Sequence, residues 1–270
     1  MRLDRFIIYT DLDGTAVHSN HNVNAPMPQN NIDALKHFVS EGGLLSAASG
    51  RSHNSVKKLF GDIKINAPIV EANGAYVYDV DTESYLSKTY IKTEVKKELY
   101  EYVKKDKSLY LTTMKEDGTK RVEYGDDREE TILDFYRPLI TKEDLFENNN
   151  SKCGIVGDPK RIDEVLVELN SLKTRKDMTI ARSAPIYAEV FDSTANKGAG
   201  IKKALELKNI KDRILVCVGD YYNDIDMLKI ADIAICPENA VPEVKELCQY
   251  ITCDDASGCL AEVIDYLERL

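Results

Sequence analysis

The chain has 270 residues, of which 43% are hydrophobic and 30% are charged, and its formal net charge is −10 at pH 7. This length suffices for one large domain or two smaller ones with buried cores, and no apolar run approaches the ~20 residues that cross a bilayer. The acidic balance also disfavours nucleic acid and anionic membranes as partners, because both bind basic surfaces.

The first part of the chain alternates strands and helices. An apolar strand ends at Asp11, a second ends at Ser49, and a third covers residues 68–72. The helix between the first two strands is stopped by Gly42-Gly43 and carries apolar residues at helical spacing, namely Ile32, Leu35, Phe38 and Val39. This βαβ series with short connections predicts a parallel sheet with right-handed crossovers.

Residues 83–188 interrupt that series. They contain a polar hairpin around Glu116-Asp117-Gly118, a loop at Asn148-Asn149-Asn150, strands at 153–157 and 178–184, and a helix at 160–172. We interpret this stretch as a small inserted α+β domain.

The alternation resumes after residue 188. The predicted elements are a helix with Ile201, Ala204 and Leu205 inward, a strand at 213–218, a short helix through Met227, a strand at 232–236, and helices from Val241 and Ser257. The expected fold class is therefore α/β, with a Rossmann-like parallel-sheet core at 1–82 and 189–270 and an α+β insertion at 83–188.

Polar residues follow three of the predicted core strands. Asp11 and Asp13 end the first strand, Ser49 and Gly50 follow the second, and Gly219-Asp220-Tyr221-Tyr222-Asn223-Asp224 follows the strand at 213–218. Residues i and i+2 of a strand point to the same side, and the carboxyl edge of an open α/β sheet is the usual ligand site. The pattern of acids favours a metal site and phosphoryl-transfer chemistry.

A further candidate is Lys197, at the start of a predicted helix, where its ammonium and the positive helix end can hold an anion. Each feature alone also has a structural explanation. Asp-x-Asp-Gly occurs in tight turns and calcium loops, Ser49 can cap a helix, Lys197 can be a solvated charge, and Asp220 and Asp224 can be turn and cap residues.

Taken in order, these segments resemble the four motifs of the haloacid dehalogenase (HAD) superfamily. The segment 219–227 is similar to the fourth motif of its Cof-type phosphatase branch, and Val70-Glu71-Ala72-Asn73-Gly74-Ala75 is similar to a further segment of that branch. The resemblance spans nearly the whole chain and implies that 83–188 is a C2-type cap domain. One departure is Cys236-Pro237-Glu238-Asn239-Ala240, where similar sequences often have Met-Gly-Asn-Ala.

The resemblance implies a role for each acid of the first motif. Asp11 is expected to attack phosphorus and form an aspartyl phosphate, and Asp13 to protonate the leaving oxygen and later deprotonate water. Arg51 is expected to tie down its loop or to contact substrate. Transport ATPases of the superfamily have Thr at the position of Asp13, so the resemblance excludes that activity.

The phosphate is expected to be held by Ser49, Gly50, Lys197 and Asn223. Because clustered carboxylates repel a phosphate dianion, a divalent cation is required. Magnesium suits an all-oxygen site that keeps several waters. The expected ligands are Asp11, the backbone carbonyl of Asp13 and Asp220, with Asp224 either coordinating directly or orienting a ligand water.

We therefore expect a Mg²⁺-dependent phosphomonoester hydrolase that acts on small phosphorylated metabolites, with sugar phosphates favoured. A sugar phosphomutase remains an alternative because it uses the same pair of acids. A non-enzymatic phospho-acceptor is a second alternative, although receiver domains are about half this length. The expected partner is a small-molecule phosphate ester, and the chain is expected to be a monomer.

Cysteine usage and the amino terminus indicate the compartment. The six cysteines lack the Cys-x-x-Cys spacing of a zinc site, so free buried thiols are expected. The amino terminus runs almost directly into the first strand, without the basic, apolar and cleavage regions of a signal peptide. We expect a cytoplasmic protein.

Overall fold

A computed structural model of the chain describes residues 3–18, 25–115, 118–124 and 138–270. The chain divides into two compact units. Unit 1 consists of Met1–Ser87 and Asn196–Leu270, and unit 2 consists of Lys88–Ala195.

The described residues form fourteen strands and nine α-helices. Strands β1 to β14 span, in chain order, Phe6–Thr10, Leu44–Ala47, Ile69–Glu71, Tyr76–Asp79, Ser84–Lys88, Tyr110–Lys115, Gly118–Val122, Leu139–Ile140, Lys152–Val156, Met178–Ala184, Tyr187–Asp192, Ile214–Val218, Ile233–Pro237 and Tyr250–Thr252. Helices α1 to α9 span Gln29–Ser40, His53–Phe60, Thr93–Lys104, Lys142–Phe146, Pro159–Glu168, Lys197–Leu207, Ile225–Leu228, Pro242–Lys245 and Cys259–Glu268.

The main sheet of unit 1 has the strand order β14-β13-β12-β1-β2, and its neighbouring strands are parallel. Alternate residues of β1 enter two different apolar clusters. Ile8 packs in the cluster that includes Leu35 of α1, whereas Ile7 packs in the cluster that includes Ile201 of α6. A strand buried on both faces in this way requires a continuous apolar sequence, which is the pattern of Phe6–Thr10.

A smaller sheet of unit 1 joins β3, β4 and β5. Strand β3 lies within the predicted strand at 68–72 and pairs antiparallel with β4. It is also linked to the end of β2, because Ala48 bridges Val70 in parallel and the Ser49 N–H donates to the Val70 carbonyl at 2.9 Å. This link fixes the chain that follows β2.

Unit 2 is built on a six-stranded sheet with the order β10-β11-β9-β6-β7-β8, antiparallel except between β7 and β8. Its apolar core includes Leu99 of α3 and Val165 of α5, packed with Leu111 and Ile155 of the sheet. The predicted hairpin is formed by β6 and β7, and its turn at 116–117 lies outside the described residues.

Several elements differ from the sequence prediction. Helix α5 ends at Glu168 and continues as a short 3₁₀ turn over Leu169–Ser171 rather than as α-helix to 172. The sequence analysis did not anticipate the helices α3 and α4 or the strands β4, β5, β8, β11 and β14. Strand β11 pairs with β9 and β10, which places it in the sheet of unit 2.

All six cysteines are free thiols, as predicted. Four of them are buried, namely Cys153, Cys217, Cys236 and Cys259, whereas Cys248 and Cys253 are partly exposed. Among the described residues, no helix is both long and apolar enough to span a membrane.

Candidate active site

The parallel core brings three of the predicted segments to one edge of the main sheet. Asp11 follows β1, Ser49 follows β2, and Asp220 follows β12, and β1 lies between the other two strands. The hydrogen bonding between β1 and β12 continues past the end of β1, because the Asp11 N–H donates to the Val218 carbonyl at 2.8 Å. The carboxyl ends of the three strands therefore present these residues together.

A buried lysine lies at the centre of this edge. Lys197 is the first residue of α6, and the Asn196 side chain caps that helix by accepting a hydrogen bond from the Ala199 N–H at 2.7 Å. The side chain of Lys197 is 0% exposed. Its Nζ lies 2.8 Å from Asp11 Oδ1 and 2.5 Å from Asp224 Oδ1. Lys197 is thus a buried bridge between two carboxylates rather than a solvated charge.

Asp224 is oriented by donors on both of its oxygens. Oδ1 faces Lys197, and Oδ2 accepts hydrogen bonds from the backbone N–H groups of Asp220 at 2.9 Å and Tyr221 at 3.0 Å. This carboxylate closes the loop after β12 into a compact turn. The loop geometry in turn fixes the position of Asp220.

Asp220 is held in place by residues at the turn that follows Asp13. Thr15 Oγ1 donates to Asp220 Oδ1 at 2.7 Å, and both residues are buried. Gly14 has φ of 89°, and a Cβ at this position would lie 2.5 Å from Asp220 Oδ2. Glycine is therefore required here both for the left-handed backbone and for the close approach of the carboxylate.

Carboxylate oxygens of Asp11, Asp220 and Asp224 all lie within 4.8 Å of one another, and this is the group of possible metal ligands found in the described part of the chain. The donor set consists of oxygen atoms alone, which fits Mg²⁺. If all three acids are ionised, Lys197 offsets one negative charge and two remain. A divalent cation would offset those two.

The electrostatics of the cluster agree with that charge count. Burial, with added repulsion from Asp224, raises the pKa of Asp11 to about 7 and that of Asp220 to about 8. Burial acts to lower the pKa of Lys197, but the charges of Asp11 and Asp224 outweigh it, so this pKa is raised. The lysine is charged, and additional positive charge near Asp11 and Asp220 would favour their ionised forms.

Asp13 has a different environment from Asp11. Its side chain is 50% exposed and forms a two-point ion pair with Arg51, whose Nε donates to Asp13 Oδ2 at 2.8 Å. The hydrogen bond to Asp13 raises the pKa of Arg51. Arg51 thus contacts the first motif directly in addition to being part of the loop after β2.

The remaining predicted residues flank this cluster. Ser49 is 1% exposed, and its Oγ accepts a hydrogen bond from the Arg51 N–H at 3.2 Å. Gly50 lies between these two residues and is partly buried. Asn223 Nδ2 donates to Asn73 Oδ1 at 3.2 Å.

Three residues of the site were not assigned a role from the sequence: Thr15, Asn73 and Asn239. Asn239 Nδ2 donates to the Gly14 carbonyl at 2.8 Å, and its Oδ1 accepts from the Asp255 N–H at 2.9 Å. Asn239 therefore contacts the turn of the first motif, although the segment around Pro237 departs from the pattern of similar sequences. The position of Thr15 directly after Asp-x-Asp-Gly could have indicated that it belongs to the site.

The fold and the site define an α/β protein with an acid cluster bridged by a lysine at the carboxyl edge of its parallel sheet. Comparison with known proteins identifies its family. The family model of haloacid dehalogenase-like hydrolases matches residues 8–264, so the chain belongs to that family. The 5-amino-6-(5-phospho-D-ribitylamino)uracil phosphatase YwtE of Bacillus subtilis is 24% identical over 96% of this chain and 97% of its own length.

Solved structures are also similar. A protein from Plasmodium vivax described as a HAD/COF-like hydrolase has a TM-score of 0.82 and 26% identity, covering 98% of this chain and 96% of that one. BT4131, a sugar phosphatase of HAD subclass IIB, has a TM-score of 0.81 and 22% identity, covering 98% and 100%. The predicted superfamily, fold class and enzyme class, a phosphatase, are confirmed.

Proposed function

We propose that the protein is a Mg²⁺-dependent phosphomonoester hydrolase that works through an aspartyl phosphate. The observation that carries this proposal is the buried cluster of three carboxylates with one lysine, which retains excess negative charge where a phosphate dianion would have to bind. Such a cluster is unfavourable by itself and becomes useful when a cation and a phosphate complete it.

The reaction proceeds in two displacements. A carboxylate oxygen of Asp11 attacks phosphorus, the ester P–O bond breaks, and Asp13 gives its proton to the departing oxygen. Because Arg51 pairs with the Asp13 carboxylate in the structure, Asp13 must leave this ion pair to carry its proton, and the pair re-forms once the proton has been given to the departing oxygen. Asp13 next takes a proton from water, whose oxygen attacks phosphorus, so that inorganic phosphate leaves and the Asp11 carboxylate is restored.

The other residues hold the transferring group and the ion. Lys197, the Ser49-Gly50 loop and Asn223 donate to phosphate oxygens. Asp11, Asp220 and the backbone carbonyl of Asp13 hold the ion, while Asp224 is a further ligand or orients a ligand water. Bound Mg²⁺ supplies the positive charge that lets the phosphate approach the acids.

The substrate class is a small phosphate ester, with sugar phosphates favoured. BT4131 is a sugar phosphatase, and the substrate in the name of YwtE carries a phosphorylated ribityl chain. We propose that residues 83–188 are the C2-type cap. A cytoplasmic location and a monomeric state stay predictions.

The test is phosphate release from a panel of small phosphomonoesters, with Mg²⁺ and with EDTA. Wild type should release phosphate only with the metal, and Asp11→Asn should be inactive. Asp62→Asn, which changes an exposed acid, serves as the matched control and should be fully active. Conversion of a hexose 1-phosphate to its isomer would indicate the phosphomutase instead, and a stable phosphoprotein without turnover would indicate a phospho-acceptor.

A further inference from the structure

A strained turn follows β3 in unit 1. Ala72, Asn73 and Gly74 have consecutive positive φ angles of 50°, 53° and 100°. Residues with a Cβ rarely adopt this conformation, although Asn tolerates it better than Ala. Strained backbone persists where the surroundings hold it, and it is frequent at functional sites.

The turn is held between two of the phosphate-site segments. The Asn73 N–H donates to the Ser49 carbonyl at 2.9 Å, directly beyond the bond from the Ser49 N–H to Val70. Gly74 packs against the residue that caps α6, because a Cβ on Gly74 would lie 1.9 Å from the Asn196 carbonyl oxygen. The backbone of the turn therefore sets the distance between the Ser49-Gly50 loop and the start of α6.

The side chain of Asn73 reaches a third segment. It is only 3% exposed, and its Oδ1 accepts the hydrogen bond from Asn223 Nδ2. An amide nitrogen carries two hydrogens in a fixed plane. Donation of one of them to Asn73 therefore fixes the direction of the other.

We propose that Asn73 is a positioning residue, which aims the Asn223 amide at the substrate phosphate. This inference rests on the proposed function, in which Asn223 donates to phosphate. The left-handed backbone at Asn73 brings its acceptor oxygen to Asn223 while its N–H stays on the Ser49 loop. One residue thus sets the relative positions of two phosphate-binding segments without touching substrate.

Asn73→Gly tests the side chain alone, because glycine retains the positive φ and the backbone N–H. We expect kcat/KM to fall about tenfold, as for the loss of one well-placed hydrogen bond, and inhibition by inorganic phosphate to weaken by a similar factor. In an Asn223→Ala background the same change should have less than about a twofold effect, because the group that Asn73 orients is absent.

Asn73→Ala, which adds backbone strain, should lose thermal stability relative to Asn73→Gly. Unchanged kcat/KM and phosphate inhibition in Asn73→Gly would overturn the inference, as would an equal fold-loss in both backgrounds, which indicates a purely structural role. Failure of the proposed function is distinguishable, because wild type itself would then release no phosphate with Mg²⁺.

Discussion

Replacement of Lys197 by Met should destabilise the protein strongly in the absence of metal. The methionine fills a similar volume, but Asp11 and Asp224 lose the ammonium that lies 2.8 Å and 2.5 Å from their oxygens. Removal of one partner from a buried ion pair costs about 3–5 kcal/mol. At 2–4 °C per kcal/mol for a chain of this size, the thermal midpoint should fall by roughly 10 °C.

The assay is thermal unfolding in EDTA at pH 8, followed by circular dichroism, with Lys36→Met as the control. Lys36 is 44% exposed and pairs with Asp62, which is 90% exposed. An exposed pair contributes at most about 1 kcal/mol, so this variant should shift the midpoint only slightly. Equal shifts for the two variants would refute the idea that burial of the Lys197 charge is what makes it stabilising.

The remaining predictions concern the same cluster. In EDTA the thermal unfolding midpoint of wild type should fall as the pH is raised from 5 to 8. The raised pKa values of Asp11 and Asp220, about 7 and about 8, keep protons on the folded protein that the unfolded chain has already released, so folding becomes less favourable as the pH rises. Mg²⁺ should remove this fall, and a midpoint that rises with pH in EDTA would contradict the reasoning. Thr15→Val removes the donor to Asp220 and should weaken Mg²⁺ binding at least about tenfold in calorimetry, whereas Thr15→Ser should bind like wild type. Gly14→Ala should lower phosphate release at saturating substrate, because the added Cβ displaces Asp220; full activity would show that the turn adapts.

Much of the core could be predicted from the sequence because its elements are strongly patterned. The apolar run before Asp11 and the helical spacing of Leu35 and Phe38 correspond to β1 and α1, and both helix residues are fully buried. Strand β14 escaped prediction because Tyr250–Thr252 is too short for an alternation to be visible. Strand β11 was not predicted because the boundary placed at residue 188 falls inside Tyr187–Asp192.

For the site, residue types were easier to predict than contacts. A lysine at a helix start suggests anion binding, but only tertiary packing shows that Lys197 is completely buried between Asp11 and Asp224. The pairing of Asp13 with Arg51 depends on how two loops meet at the sheet edge, which local sequence does not encode. The bond from Asn239 to Gly14 joins residues 225 positions apart for the same reason.

The buried thiols provide each unit with its own reporter of unfolding. Cys153 lies in the core of unit 2 and Cys217 in the core of unit 1, and both are 0% exposed. Burial raises the pKa of the Cys153 thiol to about 12, and it raises that of Cys217 as well, so neither forms the reactive thiolate while folded. The rate at which each of these two thiols is alkylated in the wild-type protein, determined by mass spectrometry, would therefore report the unfolding rate of each unit separately. The same experiment with Mg²⁺ would show whether the ion protects unit 1 alone.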